Sequence, residues 1–289
     1  MSHTHYTTLI SAANLAERLA AAPGSVVVFD CRFDLVDPAA GEAAYAAGHI
    51  AGAQYLHLDR DLSGRKTGTN GRHPLPTRDA LATLIASRGV KQGQQVVAYD
   101  AQGGAYAARL WWLLRWLGHD SVAVLDGGLQ AWEAAGQPLT TDVTHPAAGD
   151  FRAAAPLEST VDAAAVLANL TTATRVVIDA RAPDRYRGEN ETIDRVGGHI
   201  PGARNRFFKD NLNADGRFKT GHELRETFTT LLAGTEPNNV ILQCGSGVTA
   251  CHNALALEIA GLHGASLYPG SWSEWSADPS RPIATGPTP

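Results

Sequence analysis

The chain has 289 residues, 44% of them hydrophobic and 18% charged, with a formal net charge of −5. That composition suits a globular chain of one or two domains with enough apolar residues for a full core, and it excludes an overall basic field for nucleic acid or an anionic membrane. The three cysteines, Cys31, Cys244 and Cys251, are too few and too scattered for a disulfide framework, and with no CxxC pair or paired histidine spacing they point to no metal site.

No segment reaches the roughly 18 apolar residues of a membrane span, and Met1 to Tyr6 shows no basic region followed by an apolar stretch. A cytoplasmic protein with no nucleic-acid or membrane partner is the expectation. From Ser11 to Ala22, leucines and alanines recur at helical spacing until Pro23-Gly24 stops them. Val26 to Asp30 then reads as a buried strand. Cys31-Arg32 and a variable loop lead to Gly48-His49-Ile50-Ala51-Gly52. Val96 to Asp100 is a second apolar strand, and Leu125-Asp126-Gly127-Gly128 opens a segment that ends at Trp132.

After Thr140 the same order returns. Residues 140–158, rich in Thr, Ala and Pro, show neither helical nor strand period and read as a linker. Thr160 is the expected N-cap of a helix over 161–170, Arg175 to Asp179 is the strand, and Arg181 leads to Gly198-His199-Ile200-Pro201-Gly202. Val240 to Cys244 matches Val96 to Asp100, and Tyr268 to Trp275 matches Leu125 to Trp132. Asp30 and Asp179 are offset by 149 positions, His49 and His199 by 150. A period this long means two whole domains. Alternating helical and apolar-strand segments predict an α/β fold, each copy a mainly parallel central sheet with helices on both faces. The expected division is a first domain over 1–140, a linker over 141–157 with its boundary near Pro156, and a second domain over 158–289.

Features shared by both copies read as structural, since only one copy has a nucleophile. Asp30-x-Arg32 and Asp179-x-Arg181 read as loop braces, and His49 and His199 are set aside as catalysts. Cys31 and Cys251 read as buried small hydrophobes, Cys251 about two turns into the helix after Cys244. The tryptophans read as packing residues.

The copies differ where Asp100 in the first stands against Cys244 in the second. Cys244 closes an apolar strand, Gly245-Ser246-Gly247-Val248-Thr249 makes a glycine-interrupted loop, and a helical segment follows. Backbone N–H groups in such a turn, with the positive end of the new helix, stabilise an anion without basic side chains. They would favour the thiolate, the reactive form of cysteine. A carboxylate at the same place cannot do thiol chemistry, so function belongs to the second copy.

The segment CGSGVTA, Cys244 to Ala250, resembles the active-site loop of the two-domain rhodanese-like sulfurtransferases, and the resemblance extends over nearly the whole chain. Gly245-Ser246 resembles the 3-mercaptopyruvate sulfurtransferase branch more than the thiosulfate (rhodanese) branch, which typically has Arg and Lys there. The resemblance implies that sulfur moves from a small-molecule donor to a thiol such as thioredoxin, or to cyanide, through a persulfide on Cys244. It also implies a site in the cleft between the domains, and no cofactor. The amides of Gly245, Gly247, Val248 and Thr249 would hold the persulfide. With no cation in the loop itself, thiosulfate is disfavoured and becomes the alternative donor. Arg185 matches the first of the family's two carboxylate-binding arginines. Arg195 lies one position beyond the second, and Arg187 is a third candidate. Ser246, His73 and Asp59 match a proposed Ser-His-Asp relay, the last two drawn from the first domain. A phosphatase reading fails because Gln243 precedes the cysteine and Ala250 stands where that class needs an arginine. A non-catalytic binding role fits only the first copy.

Overall fold

A computed structural model describes residues 5–289. These form two compact units. Unit 1 comprises the described residues up to Ser63, together with Pro76–Leu157 and Asn213–Phe218, and unit 2 comprises Gly64–Leu75, Glu158–Leu212 and Lys219–Pro289. Residues 141–157, expected as a linker, run along unit 1. Gly149 N–H donates to the Ala86 carbonyl, Ala154 to Leu117 and Leu157 to Arg115, and Phe151 is buried.

Unit 1 contains β1 (Leu9–Ile10), α1 (Ala12–Ala21), β2 (Val26–Asp30), α2 (Ala40–Ala47), β3 (Gln54–Tyr55), α3 (Arg78–Ser87), β4 (Gln95–Tyr99), α4 (Ala107–Trp116), β5 (Val122–Leu125) and α5 (Gly128–Ala134). Its sheet runs β1-β5-β4-β2-β3 with every pairing parallel. Ala12, Leu15, Leu129 and Trp132 from α1 and α5 pack on Val28, Val97, Tyr99, Ala123 and Leu125. Val96, Ala98, Val122 and Val124 alternate with those strand residues and are buried as well. Both faces of the sheet are therefore covered, as apolar runs without alternation require.

Unit 2 repeats the plan with β6 (Ser159–Thr160), α6 (Ala163–Thr172), β7 (Val176–Asp179), α7 (Pro183–Arg187), β8 (Arg204–Asn205), α8 (Gly221–Leu232), β9 (Val240–Gln243), α9 (Ala250–Ile259), β10 (Ser266–Leu267) and α10 (Ser271–Trp275). The order is β6-β10-β9-β7-β8, again parallel. Thr160 is not an N-cap: it pairs with Leu267 in the sheet, and Asp162 caps α6 by accepting from Ala165 N–H at 2.8 Å. A carboxylate serves that end better than a threonine whose backbone is committed to a strand.

The repeated ion pairs do brace loops. Arg32 grips Asp30 through Nε and Nη2 and reaches the Gly48 carbonyl at 2.8 Å, while Arg181 grips Asp179 and reaches the Gly198 carbonyl at 2.7 Å. Trp111, Trp112, Trp132, Trp272 and Trp275 are buried.

Candidate active site

β9 ends at Gln243 and α9 begins at Ala250, and the turn between them is fastened to the chain before and within α10. Cys244 N–H donates to Ser271 Oγ at 3.1 Å, the Cys244 carbonyl accepts from Trp272 N–H at 3.0 Å, and the Gly245 carbonyl from Ser273 N–H at 2.9 Å. Gly247 takes a φ of +76°, and a Cβ there would come within 2.3 Å of the Pro269 carbonyl oxygen. Only glycine allows that left-handed turn at that approach. The turn buries Cys244 to 2% exposure and directs Ser246 N–H at its sulfur, 3.5 Å away.

Unit 1 shows what such a turn binds. After β4 the Asp100 carboxylate accepts from four backbone amides: Gln102 and Gly104 on Oδ1, Tyr106 and Ala107 on Oδ2, all at 2.8–2.9 Å. The turn has folded around an anion carried by its own chain. α4 starts seven residues after Asp100 and α9 six after Cys244, so the second turn is one residue tighter, with a sulfur at the place of the carboxylate. The unit 1 turn is an amide cradle around an anion, whereas at Cys244 the amide shown directed at the sulfur is that of Ser246.

Ser246 and His73 meet. Ser246 Oγ lies 2.7 Å from His73 Nδ1, and both side chains are buried. His73 was expected from the first domain, but residues 64–75 fold as part of unit 2. That loop is closed by the Gly64 N–H to Pro74 carbonyl bond, and Arg72 N–H donates to Ser273 Oγ at 3.0 Å. Asp59 belongs to unit 1, where its backbone N–H donates to His57 Nδ1 at 3.0 Å.

Of the three predicted arginines, Arg185 is at the site. It clasps Glu191 through Nε (3.1 Å) and Nη2 (2.8 Å), and Nη2 also meets Asp194 at 3.1 Å. Its Nη1 and Nη2 both lie 3.8 Å from where a Cβ on Gly245 would sit. Arg187 instead pairs with Glu189 near the surface, and Arg195 is exposed. Sequence reading passed over a further guanidinium. Arg72 bonds Asp194 through Nη1, and its Nη2 lies 2.8 Å from that same Cβ position. The loop itself carries no cation, and two guanidiniums from outside it, Arg185 and Arg72, stand at Gly245. The dipeptide Gly71-Arg72 also occurs as Gly216-Arg217, so nothing in the linear sequence marks Arg72 out.

A model of the rhodanese-like domain matches residues 11–135 and again residues 162–278. The chain belongs to the rhodanese-like family. A Pseudomonas aeruginosa protein named "Probable 3-mercaptopyruvate sulfurtransferase" is 48% identical over 280 residues, which is 96% of this chain and 98% of that one. Thiosulfate sulfurtransferase of Cricetulus griseus is 33% identical over 292 residues, 97% of this chain and 96% of its own. The crystal structure of SseA from Escherichia coli, described as a 3-mercaptopyruvate sulfotransferase with the rhodanese fold, superposes with a TM-score of 0.78 at 32% identity. It spans 93% of this chain and 100% of that one.

Within this pair of rhodanese-like domains the residues set aside as structural are so placed. His49 stacks on Tyr45 and His199 on Tyr186, each with ring centroids 3.8 Å apart, and each Nδ1 bonds the carbonyl of its stacking partner. Cys31 is buried beside Asp30, Asp100 and Asp61; burial first, and those carboxylates next, push its thiol well above the ordinary range. It is held as an inert thiol. Cys251 sits in the first turn of α9, not the second as expected, because the helix starts at Ala250. Its thiol is fully buried and donates to the Gly247 carbonyl at 3.3 Å. Among the described residues no helix is long and apolar enough to cross a membrane, and no cluster of three potential metal ligands occurs.

Proposed function

We propose that this protein is a sulfurtransferase that takes sulfur from 3-mercaptopyruvate onto Cys244 and hands it to a thiol or to cyanide. The Cys244 thiolate attacks the donor sulfur, the carbon–sulfur bond breaks, and its electrons leave as the enolate of pyruvate. A proton then reaches the enolate carbon, giving pyruvate and a deprotonated persulfide on Cys244, which the amide cradle holds. An incoming thiolate or cyanide removes the outer sulfur and returns the thiolate.

The observation that carries the choice of donor is the 2.7 Å contact between Ser246 Oγ and His73 Nδ1. Pyruvate needs a proton at carbon as it leaves, and a buried hydroxyl backed by an imidazole beside the cysteine is suited to deliver it. Asp59 is assigned the third place in that relay by family resemblance alone. Arg185, beside Gly245, offers the donor carboxylate a guanidinium edge. The second reading, thiosulfate as donor, is favoured by the two guanidiniums at Gly245, since sulfite leaves as a stable anion and needs no proton. The acceptor fits a dithiol such as thioredoxin, in a cytoplasm that keeps thiols reduced. Initial rates with each donor and cyanide as acceptor test the reading. Mercaptopyruvate is expected to be the faster donor, and thiosulfate faster by a wide margin would move the assignment to the second reading.

A further inference from the structure

We propose that Glu191 and Asp194 set the choice of donor, by neutralising the guanidiniums beside Cys244 so that a donor with one negative charge is favoured over one with two. This rests on the sulfurtransferase reading and deepens it. Both carboxylates lie on a segment that the first copy lacks. Tyr45 and Tyr186 are equivalent, since each stacks on the histidine of its own copy and each hydroxyl donates to a carbonyl, that of Ala53 in one and Ala203 in the other. Three residues separate Tyr45 from His49, and twelve separate Tyr186 from His199. The added chain leaves and returns at one point: a Cβ on Gly197 would meet Gly188 Cα at 2.9 Å, and one on Gly188 would meet Gly198 N at 3.0 Å.

Between those glycines Thr192, Ile193, Arg195 and Val196 are exposed, whereas the side chains of Glu191 and Asp194 are each only 4% exposed. Glu191 accepts from the backbone N–H groups of Ile193 and Asp194, both at 2.9 Å, and from Arg185 Nε and Nη2, while Arg181 Nη1 stands 3.7 Å away. Asp194 takes Arg185 Nη2 on one oxygen and Arg72 Nη1 on the other. Carboxylates buried to this degree are tolerated only where cations pair with them, so the segment is folded around the guanidiniums. The nitrogens that neither carboxylate engages are the ones at the cysteine turn. Arg185 Nη1 and Arg72 Nη2 lie 3.8 Å and 2.8 Å from where a Cβ on Gly245 would sit.

The charges in this cluster cancel. Arg72, Arg181 and Arg185 are matched by Asp179, Glu191 and Asp194, with Arg181 gripping Asp179. Free guanidinium edges still offer a carboxylate its parallel bonds, but no net positive charge remains to reward a second negative one. 3-Mercaptopyruvate as a thiol has one charge and thiosulfate has two, so any change in the local potential acts twice as strongly on thiosulfate. Two bare guanidiniums would favour thiosulfate, and the inserted carboxylates offset that. The field at Arg72 agrees: burial, then the neighbouring Arg185, weaken its hold on its proton, while Cys244 and Glu191 strengthen it.

The test is steady-state kinetics with 3-mercaptopyruvate and with thiosulfate, cyanide as acceptor, on wild type, Asp194→Asn, Glu191→Gln, Asp194→Glu and Glu189→Gln. The readout is the ratio of kcat/KM for thiosulfate to kcat/KM for 3-mercaptopyruvate, which a general loosening of the turn does not move. Asp194→Asn and Glu191→Gln are each expected to raise that ratio roughly tenfold, the weight of one unit charge across a partly screened site. Asp194→Glu keeps the charge and holds the ratio near that of wild type even where both rates fall. Glu189→Gln, on the same segment but exposed and paired with Arg187, changes neither rate. A ratio within twofold of wild type in both amide variants, or an equal rise in Asp194→Glu or Glu189→Gln, would overturn the proposal. Should the amide variants not fold, competitive inhibition of the wild type decides it: pyruvate is expected to bind at least as tightly as sulfate, and sulfate binding more tightly counts against the two carboxylates. A wild-type enzyme that accepts sulfur from neither donor defeats the sulfurtransferase reading itself, whereas an active wild type with an unmoved ratio in the variants defeats only this inference.

Discussion

His73 shows how a single residue changes meaning between sequence and structure. In the chain it stands in a glycine- and proline-rich stretch, as a surface histidine would; in unit 2 it is buried against Ser246 Oγ. Its imidazole has a use only when the leaving group needs a proton. His73→Ala is therefore expected to lower kcat with 3-mercaptopyruvate by about a hundredfold, the lower range for a lost general acid–base group. Thiosulfate turnover should stay within a few-fold. Comparing the two donors on one variant checks it, and an equal fall for both would make His73 a packing residue of the loop. Cys244 stood out in the sequence because its counterpart in the other copy is Asp100 and Ser246 because it lies in the CGSGVTA segment, while His73 was reached only through the family resemblance. Arg72 did not stand out, because Gly-Arg occurs in both copies and only three-dimensional packing separates half-buried Arg72 from exposed Arg217.

At the scale of elements, the strand–turn–helix unit is the part that carries chemistry, and its two copies explain one another. Asp100 satisfies four amides that would otherwise be left without acceptors in the turn after β4. Asp100→Ala is expected to lower stability by several kcal/mol at most, since each buried donor left open costs about 1–3 kcal/mol and water recovers part of it. Thermal melts check this. Added sulfate should restore stability to the variant and not to the wild type, because a vacated anion site gains from any anion that binds the folded state. Cys244 turnover should be unchanged. A variant as stable as wild type, insensitive to sulfate, would mean the unit 1 turn is not an anion nest. Strand and helix positions were legible from apolar runs and capping residues, whereas boundaries such as the start of α6 depended on which of Thr160 and Asp162 the sheet had already taken.

The molecule as a whole is a duplication in which one copy kept the nucleophile. The repeat was legible across its length because braces such as Asp30–Arg32 and Asp179–Arg181 recur in sequence. What no linear reading supplies is the assignment of residues 64–75 to unit 2 and 213–218 to unit 1. Each of those loops lies far in sequence from the turn it packs on, so local pattern says nothing about it. Arg217 packs on Gly127 in unit 1 as Arg72 does on Gly245 in unit 2. The central claim, that Cys244 carries the transferred sulfur, is tested most directly by intact-mass measurement after incubation with 3-mercaptopyruvate. The account predicts a gain of one sulfur atom, removed by cyanide or a reducing thiol and absent from Cys244→Ser; no gain in wild type, or the same gain in Cys244→Ser, would contradict it.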